Sequence, residues 1–386
     1  MEKNLRVLFL DTRPIRRGAQ VFVHELKQRF SNEGIPVMRI FLYEENKYEK
    51  LVLDENDLVL PFREDHYFEK MPTVHPSLVR RVAKEIKTFS PDIILCNGSR
   101  TLKYAAVIKK CYPSITSKWI YRVIDSAMYW NKRSITKYYY RHFVIPAMDG
   151  AVGVSKKSLD EMIEHYRFKK PSVSIPRAIN VNHFANYVPD DCARVNSGIS
   201  KDSFVVLFLG NFTNQKRPDR FLDIIYELQK QIPNVHGLMV GDGPLRGEVD
   251  AQLLRLGIGE KITLAGYQRD VRPWIAMSNV LLLTSDTEGM PGVVLEAAAM
   301  KTLTVSNIVG GIEEIIQNGE NGFLNFSNSN VEYCSILSSV FFDKINIHKI
   351  EDKCFQSVLH SNHIESIFQS YVLFFNRCIN NDFNSI

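Results

Sequence analysis

Two glutamates eight positions apart, and one lysine, carry the chemistry this sequence shows most clearly. Glu288 follows the strand-like run NVLLLT (279–284), and Glu296 lies inside a helix that would open at Gly292. Between them Gly289, Met290, Pro291 and Gly292 make a turn whose glycines let the backbone come close to a ligand. A helix starting there points its first unpaired N–H groups at whatever lies in front of it, a setting that favours phosphate oxygens. The carboxylates can accept hydrogen bonds from sugar or ribose hydroxyls. Lys216, in FLGNFTNQKRPDRFLD (208–223), follows another strand-like run and offers a loop cation. Read alone, the glutamates are equally compatible with solvated carboxylates and the lysine with an exposed loop cation.

Such residues need rigid elements behind them, and the pattern supplies these twice. RVLFL (6–10), VMRIFLY (37–43), DIILC (92–96), WIYRVI (119–124) and GAVGV (150–154) read as buried strands, with helical stretches such as 18–34 and 76–89 between them. FVVLFLG (204–210), VHGLMVG (235–241), ITLAG (262–266), NVLLLT (279–284) and TLTVS (302–306) repeat the scheme. Continuous apolar strands separated by helices predict parallel sheets covered on both faces. The expected fold class is α/β, with two Rossmann-like doubly wound domains facing a central cleft and ligands beyond the carboxyl ends of the strands. A polar stretch at 185–202 predicts the linker. The expected domains are therefore 1–190 and 191–361, with a helical tail at 362–386 that crosses back to the first domain.

The segment 285–316 resembles the E-x7-E signature of retaining glycosyltransferases of family 4, which have the GT-B fold. Ala297 to Ala299, Gly310-Gly311, Glu313-Glu314 and the turn NGENGFL (318–324) follow in that family's order. The resemblance implies that Glu296 binds the nucleotide ribose and that Glu288 sits near the donor sugar, with Gly289, Met290, Pro291 and Gly292 lining the donor. Residues 208–223 are similar to the family's diphosphate-gripping G-R-x3-x-K-G element, with Lys216 on its lysine. Asn211 stands where arginine is usual and Arg217 where glycine is usual, so Arg217 is the candidate for a second phosphate contact. VGDGPLR (240–246) resembles a G-x-G-P-L loop and places Gly241 at the donor. LAGYQRD (264–270) resembles the base-binding element and places Tyr267 by the base.

In the first half the likeness is looser. RPIRRGAQVF (13–22) resembles the family's G-G-A-E loop, with Gly18 kept, and IPRAINVNHF (175–184) resembles P-N-G-V-D-x-x-x-F, with Arg177 and Ala178 replacing Asn-Gly. Where the family often has a histidine close to the donor sugar, YRVID (121–125) offers Asp125 as a catalytic candidate and Arg122 on the acceptor side. By resemblance the reaction uses a UDP- or GDP-sugar donor and a glycan or lipid-linked acceptor of surface polysaccharide or glycolipid synthesis. It proceeds with retention, without a metal or other cofactor. A nucleotide-sugar epimerase of the same fold and a non-catalytic nucleotide-sugar-binding protein are the alternatives.

Charge is unevenly divided. Residues 1–190 hold 32 Lys+Arg against 21 Asp+Glu (+11), and residues 191–386 hold 16 against 22 (−6). The first half thus suits an anionic partner. In YWNKRSITKYYYRHF (129–143), Arg133, Lys137 and Arg141 would form one helical stripe, suited to the acceptor or to anionic lipid headgroups, or merely solvated on a packed helix. No known nucleic-acid-binding module accompanies these basic aromatics. Six scattered cysteines without a CxxC pair fit a reducing cytoplasm. The first apolar run, closed by Asp11, reads as a strand and not as a signal peptide. The expected location is the cytoplasm, with peripheral attachment to the inner face of the membrane.

Overall fold

The computed structural model describes residues 5–45, 49–63, 74–130, 134–190, 192–342 and 344–382. The chain divides into two compact units, one made of Met1–Ala178 with Ile364–Ile386 and one of Ile179–His363. The division falls at Ala178/Ile179 and not at 190, because the polar stretch after it is tied into the second unit. There the Ile179 N–H donates to Asn362 O at 2.9 Å, and the Arg272 guanidinium donates to His183 O at 3.1 Å.

The first unit is built on seven parallel strands, β1 (Val7–Asp11), β2 (Val37–Phe41), β3 (Asp57–Val59), β4 (Ile93–Asn97), β5 (Lys118–Val123), β6 (Gly150–Gly153) and β7 (Ser172–Ser174). Their order is β3-β2-β1-β4-β5-β6-β7. The apolar runs are continuous because both faces are covered. Leu8 and Leu10 of β1 pack into one cluster with Ile40, Ile94 and Trp119, whereas Val7 and Phe9 pack into another with Phe22, Phe30, Phe368 and Tyr371. The second cluster needs the last helix, Ile364–Asn380. Phe30 and Phe368 meet edge to face with centroids 4.9 Å apart, and Arg29 grips Glu365 through two bonds of 2.7 and 2.9 Å.

The second unit has six parallel strands, β8 (Phe204–Leu209), β9 (Val235–Val240), β10 (Ile262–Gly266), β11 (Val280–Leu283), β12 (Leu303–Asn307) and β13 (Phe323–Asn325), in the order β10-β9-β8-β11-β12-β13. In each sheet the strand order reverses once, between β1 and β4 in the first unit and between β8 and β11 in the second. Loops leaving the two strands of such a pair run to opposite faces and open a crevice, which is where α/β sheets bind ligands.

Candidate active site

At the β8/β11 crevice the second unit brings Lys216 and Glu288 together. Lys216 Nζ donates to Glu288 Oε1 at 2.5 Å, and Glu288 is only 7% exposed. Hydrogen bonds zip the two loops to each other. The Asp286 N–H donates to Gln215 O at 2.8 Å, Gln215 Nε2 to Thr287 O at 2.8 Å, and Thr284 Oγ1 to Lys216 O at 3.0 Å. The loop after β12 supports them from the other side, through Asn307 Nδ2 to Ser285 O at 2.9 Å and the Gly311 N–H to Gly289 O at 2.7 Å.

Two glycines make this packing possible. Gly310 has φ +53°, and a Cβ on it would lie 2.2 Å from Glu288 O. Gly241, at φ +140°, would place a Cβ 2.0 Å from Gly210 O. Any side chain at either position pushes backbone against backbone, so the loops pack this closely only with glycine there.

Arg217 explains the glycine that usually stands in its place. Its φ of 52° is left-handed, a conformation that starts the helix Pro218–Leu228 at the required angle. The cost of that conformation in an arginine is offset by its side chain, which bonds Asp219 at 2.8–3.1 Å and pairs with Asp286 at 3.3 Å. The hydrogen bonds to Asp219 raise the guanidinium pKa. Burial pulls Asp219 upwards, but Arg217 outweighs it and holds the carboxyl below its ordinary range. Arg217 is thus engaged with carboxylates in this structure.

Past Glu288, Gly289, Met290, Pro291 and Gly292 are buried, and the helix Gly292–Ala299 starts with no side chain capping its N-terminus. The Val294 N–H of its first turn donates to Pro291 O at 3.2 Å, and a helix start of this kind favours an anion in front of it. Glu296 is half-buried on that helix, while Asn211 and Tyr267 are exposed.

The remaining candidates belong to the first unit. Gly18 opens the helix Gly18–Asn32. Asp125 is half-buried and accepts from the Ser126 N–H at 2.8 Å. Arg122 points inwards: it is 1% exposed, and its guanidinium donates to Asn97 Oδ1 at 2.9 Å and Tyr371 Oη at 3.2 Å. Lys137, on the helix Ser134–Tyr139, and Arg141, in the π-turn Tyr140–Val144, are half-buried, whereas Ile135, Tyr138 and Phe143 beside them are exposed. Arg133 lies outside the described residues.

Sequence reasoning missed the buried group at the β1/β4 crevice. Asp11 accepts from Arg39 Nη2 at 2.6 Å, from Asn97 Nδ2 at 3.0 Å and from Gln20 Nε2 at 3.2 Å. The available signal was a polar residue closing each apolar strand, Asp11 after LFL and Asn97 after DIILC. Among the described residues His24, Asp54 and Asp57 lie close enough to share a metal ion. Lys27 already donates to both carboxylates, at 3.2 and 2.7 Å, and supplies the positive charge a metal would bring.

Residues 203–335 match the sequence model of the family described as glycosyl transferases group 1, and residues 16–183 match that of glycosyltransferase family 4. The chain is 30% identical, over 186 residues, to the N-acetyl-alpha-D-glucosaminyl L-malate synthase of Bacillus anthracis, covering 47% of this chain and 47% of that protein. Over 148 residues it is 30% identical to a Campylobacter jejuni GalNAc-alpha-(1->4)-GalNAc-alpha-(1->3)-diNAcBac-PP-undecaprenol alpha-1,4-N-acetyl-D-galactosaminyltransferase, covering 38% of this chain and 39% of that enzyme. The chain thus spans about half the length, or less, of these curated relatives. The crystal structure of Anabaena Alr3699/HepE in complex with UDP has the same fold, with a TM-score of 0.80 at 18% identity, covering 96% of this chain and all of that one. In sequence the two halves of the chain are each similar to a glycosyltransferase family model, and the fold is the GT-B architecture of solved glycosyltransferases.

Proposed function

We propose that the protein transfers a sugar from a nucleoside-diphosphate sugar, bound at the β8/β11 crevice, to a glycan or lipid-linked acceptor, with retention at the anomeric carbon. The observation that carries this reading is the Lys216–Glu288 pair beside an uncapped helix start. A diphosphate entering the crevice exchanges Glu288 for phosphate oxygen as the partner of Lys216. The lysine and the helix N–H groups then stabilise the charge that develops as the diphosphate leaves. Glu288, released from the lysine, accepts a hydrogen bond from a donor-sugar hydroxyl, and Glu296 accepts from the ribose hydroxyls. The acceptor hydroxyl attacks the oxocarbenium-like centre from the face the diphosphate leaves, and its proton passes to a departing phosphate oxygen. No metal enters this scheme. UDP is the favoured nucleotide, supported by the UDP held in HepE.

The acceptor reading draws on the relatives, whose names include L-malate and PP-undecaprenol, both acidic. It fits the basic first half of this chain, and we place the product in surface polysaccharide or glycolipid synthesis. Among the described residues no helix is long and apolar enough to cross a membrane. Exposed Ile135, Tyr138 and Phe143, with Lys137 and Arg141 among them, suit peripheral contact with an anionic inner membrane face.

The test is thermal stabilisation by a panel of nucleotide sugars, repeated with Glu296→Ala. A ligand at a hundred times its dissociation constant stabilises by about 2.7 kcal/mol. One donor should stabilise the native protein, and the substitution should abolish the shift. Loss of binding to every nucleotide in the native protein would remove the reading. Anomeric coupling constants of the product then check retention.

A further inference from the structure

The two faces of the first sheet are covered by helices of different charge. On one face, Lys27 and Arg29 of the helix Gly18–Asn32 are matched by carboxylates, Lys27 by Asp54 and Asp57, Arg29 by Glu33 and Glu365. The other face is covered by the helices Pro76–Phe89 and Ser99–Cys111, whose Leu78, Val82, Ile86, Leu102 and Ile108 pack into the cluster around Leu8 and Trp119. These two helices carry eight Lys and Arg and a single carboxylate, Glu85, which Arg81 already holds at 3.0 Å. Such an imbalance creates a local field that draws anions.

Where the first of these helices meets Tyr112, at the end of the second, lies an open groove of about 360 Å³. It is lined by Arg80, Ala83, Lys84, Lys87, Thr88 and Tyr112. The spacing 80, 84 and 87 sets three cations on one side of the helix, over about 10 Å of its length. All three are exposed, and among the described residues no carboxylate pairs with any of them. Lys87 Nζ stands 5.0 Å from the centroid of the Tyr112 ring, which steadies that ammonium at the wall of the groove.

The same sheet face continues into residues 134–147, which pack beside the helix Ser99–Cys111 and enter the same cluster through Val144 and Ile145. That segment has no acidic residue, and its Ile135, Tyr138 and Phe143 are exposed. Unpaired cations beside exposed apolar side chains match a surface with anionic groups outside and hydrocarbon beneath. A nucleic acid or an acidic peptide would satisfy the cations and leave the apolar residues in water.

We infer that the Arg80–Lys84–Lys87 groove receives the phosphate of an anionic phospholipid headgroup and so holds this face of the first unit against a bilayer. The choice of a bilayer rests on the peripheral-contact reading above; the groove's affinity for phosphate does not.

The test is sedimentation of the full chain with vesicles of phosphatidylcholine alone, or of phosphatidylcholine mixed with phosphatidylglycerol. The native protein should bind the mixed vesicles and leave the neutral ones. Arg80→Ala, Lys84→Ala and Lys87→Ala together should weaken that binding roughly a hundredfold, since each cation near an anionic surface is worth about fivefold. Alanine at the exposed Lys201, Arg255 and Lys349 of the second unit should leave it in place. Equal loss in both triple variants, or none in the first, overturns the groove. If Ile135→Ser with Phe143→Ser abolishes binding while the groove variant retains it, peripheral contact stands and the groove falls. If the native protein binds neither vesicle, both fall. A groove variant that loses binding of polyuridylate, with vesicle binding untouched, assigns the site to nucleic acid and overturns the lipid. Stabilisation by the nucleotide donor should be the same in native and groove-variant protein, so the transferase reading is tested apart from this one.

Discussion

The two sheets reverse strand order at the same topological place, yet they furnish that place differently. In the second unit the crevice is made of backbone: Gly241 against Gly210 and Gly310 against Glu288, with a single lysine–glutamate pair inside. In the first unit it is made of buried side chains, Asp11, Arg39, Asn97 and Arg122, reached by Tyr371 from the last helix. A crevice built of backbone is rigid before the ligand arrives and tolerates no added carbon. One built of charged side chains depends on the balance of its charges.

The sharpest way to break that contrast is Asp11→Ala. It leaves Arg39 and Arg122 buried without a counter-charge, and chemical denaturation should show a loss of about 3–5 kcal/mol. A loss below about 1 kcal/mol would mean that water already solvates the group, contrary to its burial. Next comes Gly310→Ala, whose methyl meets Glu288 backbone; about 3 kcal/mol should be lost, together with nucleotide binding. Its control is Gly247→Ala, where nothing lies within 4 Å of the new carbon. In the helix Arg246–Leu256 that change should instead stabilise by about 0.5–1 kcal/mol.

The smallest effect is one of pH. His236 bridges to Thr263 Oγ1 at 2.8 Å between β9 and β10, and burial, aided by Lys261, lowers its pKa. The unfolded chain then binds the proton more readily, so stability should fall as pH drops through about 6.5. His236→Gln should flatten that slope, measured by denaturation between pH 5 and 7. An unchanged slope would assign it to other groups, such as His24 in the first unit, whose pKa burial also lowers.

The same contrast decides what could be read from sequence. Strands β1, β2, β4, β5, β6, β8, β9, β11 and β12 were legible because burial on both faces writes them as apolar runs, and the partly buried edge strand β10 was legible as ITLAG. The short edge strands β3, β7 and β13, three residues each, are too brief to leave a pattern. Backbone sites announce themselves through glycine spacing, so the loops around Lys216 and Glu288 stood out. The Asp11 group draws on residues 11, 20, 39, 97, 122 and 371, which share no spacing and meet only after the sheet has formed. Arg217 shows a third case: the backbone kept a glycine's conformation while the residue changed, and only the carboxylates of Asp219 and Asp286 show how.

The return of Ile364–Asn380 to the first unit bears on how the chain is born. Phe22 and Phe30 emerge from the ribosome long before Phe368, Tyr371 and Phe375, which cover them. Synthesis at ordinary rates separates the two events by roughly 17 to 70 seconds. During that interval the second unit can close on itself, while the first waits with an aromatic face uncovered. The order of completion is then the reverse of the order of synthesis, and the uncovered face is where a chaperone would be needed.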